Sequence, residues 1–226
     1  MDPQATEMLV ANYRGLFLKY GDAPEATQLS LEGKRFRYRK LMDIGDLRNR
    51  RVLDLGCGIG DFYPFLTEKF GELDYTGIDL VPEMIAYAAG KYPRARFLCR
   101  DLFKDDLDET YDYVLISGVF NNAMPEAECF MQELLTLAFK CCTVGLGFNF
   151  LSTHVNFLEA ELAYHDPAQV LDFCMRNLTR KVIMDHHYER VDVAIFAYRV
   201  DAHDADSHRV HGQGAMGPFH RGVAPG

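Results

Sequence analysis

The stretch VLDLGCGIGDF, Val52 to Phe62, holds three glycines spaced two apart, Gly56, Gly58 and Gly60, with a carboxylate on either side, Asp54 and Asp61. Glycine tolerates positive φ and has no Cβ to keep a ligand away from the backbone. Where such a loop opens a helix, its free N–H groups favour an anion or a polar group. Two common ligands fit poorly. A dinucleotide turn spaces its glycines G-x-G-x-x-G, and the sixth position here is Asp61. A phosphate loop needs Gly-Lys-Ser/Thr, and none follows. Asp54 would repel a pyrophosphate but suits a ligand with a cationic end. The loop therefore calls for something flat and polar that carries a ribose.

Such a loop must sit where a strand gives way to a helix. Strand-type runs recur at Arg51–Leu55, Tyr75–Asp79, Ala95–Leu98, Tyr113–Ser117, Thr143–Asn149, Lys181–His187 and Asp192–Arg199. Stretches with helical spacing, Phe62–Phe70, Pro82–Lys91 and Glu126–Lys140, separate most of the first five. Alternation of this kind predicts a parallel sheet covered on both faces. Only YERV separates the last two runs, too short for a parallel crossover, so they should form an antiparallel hairpin. Residues 1–48 read as helical, with breaks near Gly21–Pro24 and at Gly33, and should cap the open end of the sheet. Residues 49–200 form the core. Residues 201–226, rich in Gly, His, Asp and Ala, read as a disordered tail whose histidines (His203, His208, His211, His220) bind metal only loosely, if at all.

VLDLGCGIGDF resembles motif I of the class I, Rossmann-like S-adenosylmethionine (SAM)-dependent methyltransferases, and the resemblance extends over roughly residues 35 to 200. It implies an α/β fold: a three-layer Rossmann-like sandwich around a seven-stranded, mostly parallel sheet with a C-terminal antiparallel hairpin. It implies SAM as cofactor, whose ammonium group would meet Asp54 and the loop Gly56, Cys57, Gly58 and Gly60. Asp79, ending YTGID, would accept from the ribose hydroxyls, and Leu80 would line the adenine pocket. Asp101, in FLCRDLF, would accept the adenine amine, with the Leu102 N–H beside it. Ser117 and Gly118 would run past the methionine half. Arg37 resembles an arginine that some small-molecule members aim at the cofactor carboxylate. Taken singly, each acid has a local use as a turn cap or loop carboxylate; three in order at strand ends after a glycine loop favour the functional reading.

Methyl transfer needs nucleophile and methyl held in line, with little further covalent chemistry. Acceptor contacts should come from the N-terminal helices and from the loops after the fourth and fifth strands. The candidates are Asn121, Asn122, Asn156, Tyr164 and His165, with His154 as a base. Asp166 and Pro167 look like the N-cap and first residue of a helix. His186 and His187 should close the hairpin's first strand, and no metal site is expected from them. The exit of the fourth strand, GVFNNAMPE, lacks the Pro-Pro motif of family members that methylate base or amide nitrogens.

The formal charge of −9 argues against a nucleic-acid partner. The segment GKRFRYRK, Gly33 to Lys40, is the one candidate basic patch, or else a solvated amphipathic helix. Six cysteines in mostly apolar runs, with no C-x-x-C pair, read as reduced core residues. No apolar run approaches the roughly 20 residues of a membrane span, and the N-terminus lacks a signal peptide's regions. Together with these features, the resemblance implies a cytoplasmic enzyme moving a methyl group to an N or O atom of a small-molecule acceptor, without nucleic-acid or membrane partners; a homodimer is compatible with them. The alternative is a SAM-binding sensor or scaffold without turnover. Aminopropyl transfer, a third possibility in a related fold, expects an Asp-Gly and an acidic gate that this chain lacks.

Overall fold

A computed structural model describes residues 3–27, 30–105 and 107–199. The expected tail over 201–226 lies outside them. The chain runs α1 (Pro3–Tyr20), α2 (Leu31–Leu41), β1 (Arg51–Leu55), α3 (Phe62–Phe70), β2 (Asp74–Asp79), α4 (Pro82–Lys91), β3 (Arg96–Cys99), β4 (Tyr111–Ile116), α5 (Ala127–Cys141), β5 (Cys142–Ser152), β6 (Tyr164–His165), α6 (Pro167–Phe173), β7 (Val182–Asp185) and β8 (Asp192–Tyr198).

The sheet order is β3-β2-β1-β4-β5-β8-β7, with β6 beside β5. Pairing is parallel from β3 across to β5, and antiparallel for β5–β8 and β7–β8. The expected topology is therefore present with one addition. The sheet has eight strands, because the long β5 offers its end residues Leu151 and Ser152 to Tyr164 and His165 in parallel register. The pair looked like the approach to a helix, and it is both. Asp166 caps α6 immediately afterwards, accepting from the N–H of Ala168 at 2.8 Å, with Pro167 in the first turn.

Strict alternation sends side chains to two covered faces. Leu53 and Leu55 of β1, Val114 and Ile116 of β4, and Val193 and Ile195 of β8 pack on the face covered by α5 and α6. Val52, Leu115, Ala194 and Phe196 pack on the other, against Leu41, Ile44, Phe62 and Leu66. On this second face β5 carries Gly147, where an added Cβ would lie 3.1 Å from Ile44 Cδ1. The helical segment ending in Ile44 can thus approach the sheet closely. Val10, Tyr13 and Phe17 of α1 pack in a separate small cluster over Ile59, Val81 and Met84.

Two local expectations are corrected. Gly33 does not break a helix; it lies in the first turn of α2, and its N–H donates to the side chain of the N-cap Ser30 at 3.1 Å. His186 and His187 do not belong to the strand. β7 stops at Asp185, whose carboxylate accepts the His187 N–H at 2.8 Å and turns the chain there.

Candidate cofactor and acceptor site

The order of connections reverses between β1 and β4, and the crevice at the carboxyl ends there is where open α/β sheets bind ligands. Register brings the predicted residues to one level. Leu55 pairs with Ile78 and with Ile116, and Asp79 pairs with Cys99. The glycine loop, Asp79, Asp101 and Ser117 therefore all leave the same edge. A cavity of about 430 Å³ opens there.

Of the residues read from the sequence, Arg37, Gly56, Cys57, Gly58, Asp79, Leu80, Asp101, Leu102, Ser117, Gly118, Asn121, Asn122 and Tyr164 line this cavity. Gly56 has φ 74°, and a Cβ there would meet Val119 Cγ2. Gly58 has φ 55° with nothing within 4 Å of a Cβ position, so its bare backbone faces open space in the cavity. Asp79 clamps this turn: its Oδ2 accepts the Gly58 N–H at 2.8 Å, and its Oδ1 accepts the Val81 N–H at 3.0 Å. Burial raises its pKa against those hydrogen bonds. Asp101 accepts the Phe103 N–H at 3.0 Å and pairs with Lys104 at 3.2 Å. Both acids thus make the local contacts of turn carboxylates and face the shared cavity as well.

Five predicted residues lie off the cavity wall. Asp54 follows Val52 onto the α3 face and is 2 % exposed; the Tyr75 hydroxyl donates to it at 2.7 Å. Burial pushes its pKa up to about 7. Motif spacing placed it at the loop, but strand alternation turns it beneath. Gly60 packs instead: a Cβ there would lie 2.8 Å from the Phe97 ring. His154 is exposed, with its ring centroid 6.5 Å from that of His186. Asn156 is exposed on the same loop. His165 is buried, and its Nε2 lies 3.0 Å from the Phe120 carbonyl, which fixes the ring structurally.

Lys34 and Tyr13, also on the cavity wall, left no strong mark in the sequence, whereas Arg37 was expected there. Lys34 and Arg37 are each 6 % exposed and lie on the face of α2 that also buries Leu41. The basic segment is thus neither an open patch nor a wholly solvated face. Lys34 Nζ reaches Asp61 Oδ2 at 2.7 Å, and Lys40 reaches Asp185 at 2.8 Å. The i, i+3 spacing of Lys34 and Arg37, ending at Leu41, was the available signal. Arg37 Nε donates to Asp192 at 2.9 Å. In the orientation that satisfies its neighbours, the Asn121 amide oxygen accepts from Arg37 Nη1 at 3.0 Å and Nη2 at 3.2 Å. Across the cavity, Tyr13 donates its hydroxyl to Asn122 Oδ1 at 3.0 Å, tying α1 to the exit of β4.

The rest of the cavity wall includes Leu9, Val10 and Tyr13 from α1, and Phe157, Leu162 and Tyr164 from the segment after β5. Among the described residues there is no cluster of groups able to hold a metal ion, and no helix is long and apolar enough to cross a membrane.

A doubly wound sheet with a bare, acid-clamped turn at its switch point defines a nucleotide-type binding domain. Comparison with known proteins narrows the class. Residues 52–138 match a family model described as a methyltransferase domain. A Mycobacterium tuberculosis protein named as a methyltransferase, Rv1506c, is 30 % identical over 146 residues, 61 % of this chain and 86 % of that protein. A malonyl-[acyl-carrier protein] O-methyltransferase of Acetivibrio thermocellus is 32 % identical over 85 residues, 35 % of this chain and 30 % of that one. The crystal structure of magnesium protoporphyrin IX methyltransferase from Synechocystis PCC 6803 with bound S-adenosylhomocysteine superposes with a TM-score of 0.63 at 16 % identity, covering 87 % of this chain and all of that one. The chain belongs to the class I SAM-dependent methyltransferases, and SAM is its cofactor.

Proposed function

We propose that this methyltransferase acts on an N or O atom of a small-molecule acceptor, bound between α1 and the segment after β5. The carrying observation is that the bare turn at Gly58, Asp79 and Asp101 face one cavity whose remaining wall is supplied by this chain itself. In this reading Gly56 to Gly58 cradle the centre of the cofactor, Asp79 accepts from the ribose, and Asp101 with the Leu102 N–H addresses the adenine. Gly118 and Arg37 take the methionine half. The cofactor's contribution is a methyl carbon made electrophilic by the adjacent sulfonium.

The protein's part is placement and exclusion of water, which for a well-oriented pair reaches roughly 7–11 kcal/mol of the barrier. Leu9, Val10, Leu162 and Phe157 give the acceptor an apolar bed. Tyr13, Asn121 and Asn122 are the polar groups beside it, and they would orient an acceptor heteroatom with its lone pair toward the cofactor's methyl group. His154 is withdrawn as the base, because it lies off the cavity wall.

Titration calorimetry with SAM and with S-adenosylhomocysteine, followed by labelled-methyl transfer to fractionated cell extract, tests the proposal. Binding followed by label in a low-mass fraction is expected. Binding with label only in macromolecules would overturn the small-molecule acceptor.

A further inference from the structure

Arg37 is gripped along one edge. Its Nε lies 2.9 and 3.1 Å from the two carboxylate oxygens of Asp192, the first residue of β8. Asp192 is held in turn. The fully buried Asn149 of β5 donates its Nδ2 to Asp192 Oδ1 at 3.0 Å, and its Oδ1 accepts the N–H of Gly118 at 2.9 Å. Four points of the fold, on α2, β8, β5 and the exit of β4, are thus joined in one buried polar chain. Alternation explains the meeting. Asn149 shares its strand face with Gly147, and Asp192 shares its face with Ala194 and Phe196, the face that α2 covers.

The consequence lies at the opposite edge of the guanidinium. With Nε committed to Asp192, Nη1 and Nη2 remain, and Nη1 stands 3.5 Å from where a Cβ on Gly118 would be, on the cavity wall. Their present partner is the neutral amide oxygen of Asn121. Two parallel N–H groups of an arginine match a carboxylate bidentately, and only if the plane of the fork is fixed. A buried ion pair contributes little net stability by itself, whereas it fixes the plane of the fork well.

We infer that Asp192, supported by Asn149, is a positioning residue that aims Arg37 at the carboxylate of the methionine half of the cofactor, with Asn149 at the same time orienting the Gly118 N–H. This rests on the cofactor reading above. The test compares two ligands by calorimetry: S-adenosylhomocysteine, which has the amino-acid half, and 5′-methylthioadenosine, which lacks it. Asp192→Asn is expected to weaken S-adenosylhomocysteine at least tenfold and to change methylthioadenosine by less than twofold. In an Arg37→Gln background the same substitution should cost S-adenosylhomocysteine less than twofold. Should Asp192→Asn fail to fold, Asn149→Ala leaves the ion pair in place and should show the same split at several-fold. Parallel loss of both ligands, no loss of either, or an undiminished loss in the Arg37→Gln background overturns the inference. Failure of the unsubstituted protein to bind either ligand would instead remove the cofactor reading itself.

Discussion

Asp54 of β1 and Asp79 at the end of the neighbouring β2 belong to the same motif set and meet different fates. Asp54 is sealed under the glycine loop, where burial favours its neutral form, and its pKa moves from 3.8 to about 7. The unfolded chain releases that proton first, so the carboxyl contributes stability below pH 4 that is lost as pH rises toward 7. The full swing is on the order of 4 kcal/mol, at about 1.4 kcal/mol per pH unit. Asp54→Asn keeps an oxygen for the Tyr75 hydroxyl and cannot ionise. Thermal melts of the ligand-free proteins at pH 5 and pH 8 should show the variant gaining on the parent as pH rises; a pH-independent gap would refute the assignment. Asp79 has a different task, since it holds the Gly58 N–H and faces the cavity. Asp79→Ala should weaken S-adenosylhomocysteine by roughly 10- to 100-fold through loss of charge-assisted hydrogen bonds of about 1.5–3 kcal/mol, measured by calorimetry; unchanged affinity would take Asp79 out of the site.

At the scale of elements, α1 and α6 give contrasting tests. The cavity-facing side of α1 rests on the small cluster with Ile59, Val81 and Met84 and on the bond from Tyr13 to Asn122. Removing that bond with Tyr13→Phe costs about 0.5–1.5 kcal/mol, which corresponds to roughly 2- to 12-fold faster amide exchange in α1 if the helix opens locally. Hydrogen-exchange mass spectrometry should place the change in α1 and spare β1 and β4. Asp166, by contrast, only caps α6. Asp166→Ala should lower global stability by roughly 0.5–2 kcal/mol in denaturant melts, with S-adenosylhomocysteine affinity unchanged. The α6 start was readable because Asp-Pro is a local signal. β6 was not, because two residues carry no periodicity, and only the overlong end of β5 gives them a partner. The corrected break at Gly33 has a similar origin: a glycine in a first turn is tolerated when Ser30 ahead of it caps the helix.

For the molecule as a whole, a ligand that binds only the native state at a hundred times its dissociation constant stabilises by about 2.7 kcal/mol. In a chain of this size that raises the melting temperature by roughly 5–10 °C. Saturating S-adenosylhomocysteine should produce such a shift, and a flat melting curve would contradict the cofactor assignment.

Much of the site was legible because it is made of short-range signals. A glycine turn after an apolar strand, and acids at the end of one strand and just past the next, are fixed by local geometry, and parallel register then carries them to one edge. The alternation of strands and helices likewise predicted the sheet and its terminal hairpin. Tertiary structure alone decided which of these side chains reach the cavity. Asp54 turned under the loop, His154 and Asn156 stayed outside, and Arg37 received a carboxylate from a strand 155 residues away along the chain. Such pairings depend on which helix lies over which sheet face, and a side chain's neighbours across that contact leave no trace in the residues beside it in sequence.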